Sequence, residues 1–199
     1  MANLSYGTQG SSYYDLARKG QVFMAQAIVT APPAYTTAAG TGGPLLWNGT
    51  GGTVSGVNQA GVNAVLLGVS FGVTTAPTVA TVVLGLTGGV QGTTAPTSTT
   101  AIDGLTCTRI KAGNISATGM GNACSVYRLG TVSAAGAWFF PLAPLSTAAL
   151  TSDIPTENYC DLAGMFVVPP GAWVSLAVSA ASTSVVLQVG LVWAEIPVL

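Results

Sequence analysis

Gly164-Met-Phe-Val-Val-Pro-Pro-Gly-Ala-Trp-Val-Ser-Leu-Ala-Val-Ser179, followed by Thr183-Ser-Val-Val-Leu-Gln-Val-Gly-Leu-Val-Trp-Ala-Glu-Ile-Pro-Val-Leu199, is the stretch whose period decides the fold. Its apolar residues recur at every second position. Val174, Leu176 and Val178 fall on one face of an extended chain, opposite Trp173, Ser175, Ala177 and Ser179. After the small polar break at 180–184, Val185, Leu187, Val189, Leu191 and Trp193 take up one face again. The other face, Val186, Gln188, Gly190, Val192 and Ala194, is small and uncharged, the pattern of a strand covered on both sides. Pro169-Pro170-Gly171 is a turn, because proline fixes φ and glycine is free to take it positive. The expectation is a closing β-hairpin that completes a sandwich.

The same period runs outward from there. Val22 to Thr30 alternates Phe23, Ala25, Ala27 and Val29 against Val22, Met24, Gln26 and Ile28, and Pro32-Pro33 ends it. Pro44 to Trp47 is a short strand before the turn Asn48-Gly-Thr-Gly-Gly. In Asn63 to Thr74, Val65, Leu67, Val69, Phe71 and Val73 form a large-residue face opposite Leu66, Gly68, Ser70 and Gly72. The turn at 74–78 predicts a hairpin with Val79 to Leu86. Thr106 to Lys111 is a weaker strand, and 122–132 with 137–142 is a second hairpin candidate. About eight strands with one or two long connections predict an all-β, antiparallel β-sandwich, jelly-roll-like. Its core is expected to hold Val65, Leu67, Val69, Phe71, Val185, Leu187, Val189, Leu191 and Trp193.

Residues 1–20 are set apart as a short N-terminal arm with a short helix, and 21–199 as one domain. Ser12-Tyr-Tyr-Asp15 has capping-box spacing, and Gly20 stands where a helix ends in a left-handed residue. Arg18 and Lys19 stand at the helix C-terminus, the default place for cations. The functional reading makes Tyr13, Tyr14, Arg18 and Lys19 a partner-binding set on a docking arm.

Composition narrows the function. Of 199 residues only five are basic and six acidic, none is histidine, and 49% are hydrophobic. A lone soluble domain normally carries far more charge on its surface. No apolar run reaches the length of a spanning helix, and the aromatics show no girdle period. Strand-length apolar patches argue against disorder. What remains is a β domain packed against copies of itself, with a trimer expected, or against other proteins. The start of the sequence is not a secretory signal, which points to synthesis in a cytosol. There Cys107, Cys124 and Cys160 are expected to be reduced, buried thiols, with one disulfide and a spare thiol as the alternative, and the glycosylation triplets at Asn3, Asn48 and Asn114 carry no meaning.

Catalytic chemistry finds little support. Without histidine there is no imidazole base and no Ser-His or Cys-His nucleophile. Asp153, Glu157 and Asp161 lie near one another, but solvated loop carboxylates are the ordinary reading. No phosphate loop is present, and a net charge of −1 argues against nucleic acid. Trp47 or Tyr127, if exposed, could stack a sugar, although core placement is the usual fate of such residues. The expectation is no enzyme, no cofactor and no metal, with protein partners and neither nucleic acid nor membrane.

Gly43-Pro-Leu-Leu-Trp-Asn48-Gly-Thr-Gly-Gly, Val62-Asn-Ala-Val-Leu-Leu-Gly-Val-Ser-Phe-Gly-Val73 and Phe166-Val-Val-Pro-Pro-Gly-Ala-Trp-Val174 resemble segments of tailed-bacteriophage virion proteins. The richness in Gly, Ala, Thr and Val with almost no charge is similar too. The resemblance implies a jelly-roll subunit of the virion, assembled in the host cytoplasm. It would be a head decoration (cement) protein bound to the major capsid protein or other virion proteins. A tail- or fibre-associated module binding carbohydrate or a receptor is the alternative. The resemblance carries over no catalytic residues.

Overall fold

The computed structural model describes residues 13, 15–17, 20–37, 45–49, 53–54, 57–58, 61–77, 82–92, 94, 96–101, 108–111, 114–116, 124–145, 158–181 and 184–198. In chain order the strands are β1 (Val22–Thr30), β2 (Leu45–Trp47), β3 (Thr53–Val54), β4 (Val57–Asn58), β5 (Val62–Thr75), β6 (Val82–Val90) and β7 (Thr97–Ala101). They continue with β8 (Thr108–Lys111), β9 (Asn114–Ser116), β10 (Ser125–Thr131), β11 (Trp138–Leu145), β12 (Asn158–Val168), β13 (Ala172–Val178) and β14 (Val186–Pro197).

Two six-stranded sheets form, in the orders β12-β5-β14-β1-β8-β9 and β11-β6-β13-β2-β10-β7, with β3-β4 a separate ribbon. All strand pairings are antiparallel. Eight strands carry the architecture. The first pairs with the last (β1 with β14), then β2 with β13, β5 with β12, and β6 with β11. The chain is thus a long ribbon folded back on itself. It wraps until β14 meets β5 in one sheet and β13 meets β6 in the other. That nesting is a jelly roll, as the strand pattern predicted.

The nesting overturns the expected hairpins. β5 and β6 lie in different sheets, as do β13 and β14, so neither pair forms a hairpin and the chain changes layer between them. The Pro169-Pro170-Gly171 turn is also a corner, from β12 to β13, with Gly171 at φ 81°. β10 and β11 share a sheet but stand apart, separated by β2, β13 and β6. Alternation in sequence reports burial and says nothing about which strand lies alongside, which is why the strands were legible and their pairing was not.

The core fills the space between the sheets. Phe23, Ala25, Val29, Leu66, Val69, Phe71, Val185, Leu187, Val189, Leu191 and Trp193 come from one side, and Leu46, Leu84, Leu86, Val126, Val174, Leu176 and Val178 from the other. Phe23 stacks on Trp193 with ring centroids 5.9 Å apart. One predicted core face is broken. Against β14, Gly68 pairs with Val192 and Leu66 with Trp193, leaving Leu67 as an extra residue. This bulge inverts the alternation. Val65 and Leu67 therefore turn to the outer face, where Leu67 is buried with Val22 and Ala194, while Ala64 and Leu66 take the core. β12 bulges at the same level, with Leu162 to Met165 standing against Leu67 alone and Ala163 and Gly164 at positive φ.

Asn48 pins the two sheets together. Fully buried at the end of β2, it donates from Nδ2 to the carbonyls of Val62 (2.6 Å) and Val168 (2.8 Å). Its backbone N–H donates to Ala172 O and its carbonyl accepts from Gly171. A buried amide with both protons engaged closes the corner that two strands and a turn share.

Candidate functional site

The predicted arm is helical at 13 and 15–17. It ends as its sequence predicted. Gly20 (φ 70°) donates to Ala17 O and Gln21 N–H to Leu16 O, the paired bonds of a glycine-terminated helix. Tyr13, Leu16 and Ala17 pack on the outer-face cluster of Val22, Leu67 and Ala194. The Tyr13 hydroxyl donates to Asp161 Oδ1 at 2.9 Å, and the same oxygen accepts the Ala163 N–H at 2.8 Å. Burial, then the hydrogen bond and charge of Asp161, with Tyr159 adding a little, push the Tyr13 hydroxyl up to about 12. Of the four arm residues singled out for partner binding, the structure places Tyr13, and places it on its own sheet. Tyr14, Arg18 and Lys19 lie outside the described residues, as do Asp153, Glu157 and Cys107.

The remaining chemistry is dispersed. Glu195 is buried on β14, where Oε1 accepts from the Cys124 N–H (3.0 Å) and from Trp193 Nε1 (3.2 Å), tying β14 to the start of β10. Among the described residues no three of His, Cys, Asp and Glu come together as a metal site. Cys124 is buried and Cys160 half-buried. No described helix is long and apolar enough to cross a membrane.

Trp47 and Tyr127 are not a sugar platform. Trp47 is buried with Leu45, Val132 and Trp173 on the outer face of the β13 sheet, and Tyr127 packs half-buried against them. The Trp47 indole donates to Gly92 O at 3.2 Å. The segment 132–137 covers this face as it crosses from β10 to β11. Ser133 N–H donates to Gln91 Oε1, Ala137 N–H to Gly88 O, and Thr87 Oγ1 to Trp138 O at 2.7 Å.

Among the described residues two surfaces stand open, and sequence reasoning missed both. At the edge where the sheets part, a cleft of about 300 Å³ is lined by Val90, Trp138, Phe166, Val167 and Pro169 among others. Trp138 stacks on Phe166 at 5.4 Å, and Phe140 meets Phe166 edge-on at 5.0 Å. Around this edge Val90 is 75% exposed, Met165 68% and Val167 52%. The only sequence signal was the large apolar residues on both parities of 165–168, which one covered face would not require.

The second surface is the middle of the outer face of the β14 sheet. There Gln26, Ser70, Gly72, Gln188 and Gly190 line a depression of about 200 Å³. The registers set Tyr159, Ser70, Gly190 and Gln26 in one row across β12, β5, β14 and β1. Comparison with family models, with curated proteins and with solved structures finds no match for this chain.

Proposed function

We propose that this chain is a structural subunit of a virus particle, a decoration protein that braces a head shell by bridging neighbouring subunits. In this reading it acts as a homo-oligomer, most simply a trimer, and carries out no catalysis. The observation that carries the reading is the open edge between β11 and β12. Val90, Met165 and Val167 stand well exposed there beside the Trp138–Phe166 stack, in a chain with only 11 charged residues, five basic and six acidic. Apolar residues of this size in one patch mark a surface that another protein covers. Jelly rolls serve capsids, lectins and other roles alike, so the topology is compatible with the reading without selecting it.

The physics of bracing fits such a surface. A shell fails when its subunits separate, and a protein that spans them needs contact area more than chemistry. Linked copies attach at high effective concentration, so several weak contacts add to a tight one. With so little charge, attachment is mainly apolar and changes little with salt.

Sedimentation of the full chain at micromolar concentration tests the assembly, and co-sedimentation with undecorated shells tests the bracing. The expected result is a trimer that binds shells at low and high salt, with both properties lost in Val167→Lys. A stable monomer that ignores shells overturns the reading.

A further inference from the structure

We propose that the outer face of the β14 sheet binds a neutral polyhydroxylated ligand, an oligosaccharide, lying across β12, β5, β14 and β1. This stands apart from the shell-bracing reading, and either can fail alone.

The floor of the groove is made by what is missing. A side chain at Gly190 would bring its Cβ within 2.6 Å of Ser70 Oγ, which leans over the glycine, and to 3.8 Å, an ordinary contact, from Gln26 Cγ beside it. Gly72 sits one row along, opposite Gln188. Glycine inside a strand weakens it, and such positions often mark a close approach by a ligand or another chain. The walls supply the second observation. Gln26, Ser70 and Gln188 are exposed and line the depression, offering two carboxamides and a hydroxyl. Each carboxamide both donates and accepts, the pairing that vicinal sugar hydroxyls need.

Tyr159 supplies the third. Its ring end lies over Gly68, where a Cβ would come within 2.6 Å of Cζ and 2.7 Å of Cε2, and the residue is 60% exposed. An aromatic ring held on glycine beside a row of amides is a platform for the apolar C–H face of a pyranose. With strands about 4.8 Å apart, the row from Tyr159 to Gln26 spans about 14 Å, the length of a short oligosaccharide.

The chemistry also selects against other ligands. Among the described residues no charged side chain lines the groove. The carboxylate nearest in register, Asp161 opposite Gly68, already accepts from Tyr13 and Ala163. An anionic ligand would lose hydration here without gaining a counter-charge.

The test is titration of the full chain with a panel of neutral and acidic oligosaccharides, followed by calorimetry on those that bind. Expected is binding of neutral members only, weakened at least tenfold by Tyr159→Ala and by Gln188→Ala, and retained in Tyr159→Phe. The melting temperature of each variant is checked to be that of the parent, since all these side chains are exposed. Failure of every neutral oligosaccharide to bind at millimolar concentration overturns the proposal. So does binding of acidic sugars alone, or binding unchanged in both folded variants.

Discussion

The two sheets treat their outer faces in opposite ways. On the β13 sheet the chain covers itself: segment 132–137 crosses over β2, β13 and β6, and Leu45, Trp47, Thr87, Trp173 and Ser175 are buried beneath loops. On the β14 sheet the described residues cover one end, with the N-terminal turn over Leu67, and the middle carries exposed Gln26, Ser70 and Gln188. The difference lies in connectivity. A connection that must travel across a sheet closes that face to ligands, while a face that no described segment crosses keeps its side chains for binding. Even the covered face is imperfect, since Trp173 Nε1 is buried there with no hydrogen-bond partner among the described residues.

The deepest cut through this comparison strikes the layer that both faces share. Leu187 is 1% exposed between the sheets, and Leu187→Asp places an unpaired carboxylate there at a cost of about 4 kcal/mol or more. Expression yields no soluble folded protein; a normal denaturation curve contradicts the assignment of this face. Next comes the pin between the layers. Asn48→Asp removes both Nδ2 donors and sets a carboxylate against the Val62 and Val168 carbonyls, costing about 3 kcal/mol in urea denaturation.

Covers cost less to disturb. Thr87→Val removes the bond to the Trp138 carbonyl that holds the crossing segment, costing about 1 kcal/mol. Amide exchange should quicken at 132–137 and stay unchanged at 13–17. On the other sheet Tyr13→Phe costs about 0.5 kcal/mol, because its bond to Asp161 is at the surface. Its signature is pH dependence. The folded hydroxyl titrates near 12 against a usual 10.0, so its contribution is complete below pH 10 and is lost as pH rises towards 12. Tyr159, also raised by burial and by Asp161, adds to the same slope and persists in the variant. Stability measured across this alkaline window should fall less steeply in Tyr13→Phe than in the parent.

Much of the sandwich was legible because alternation is a local signal. β1 and β14 emerged with their faces correct, and the structure brings Phe23 and Trp193 from those faces together in the core. The faces of β5 were misread where Leu67 bulges, since one extra residue leaves no trace in composition yet inverts every side chain beyond it. Asn48 stood out as a turn residue; its role as a pin depends on Val168, far along the chain, and no spacing reveals that. The groove was hidden for the same reason. Gln26, Ser70, Tyr159 and Gly190 are ordinary residues in four separate strands, and only register sets them in a row.

The pairing of β1 with β14 also governs how the protein comes to be made. β14 lies between β5 and β1, so until Val186–Pro197 has left the ribosome those two strands have no neighbour on their facing sides. A nascent chain lacking this strand exposes two apolar edges at once, the condition that invites aggregation. Folding must also wait for contacts between distant parts of the chain, which places its rate in the slow range of milliseconds to seconds typical of all-β domains. Native structure is therefore gained late and nearly all together, and a stop codon before residue 186 should leave an insoluble product rather than a smaller domain.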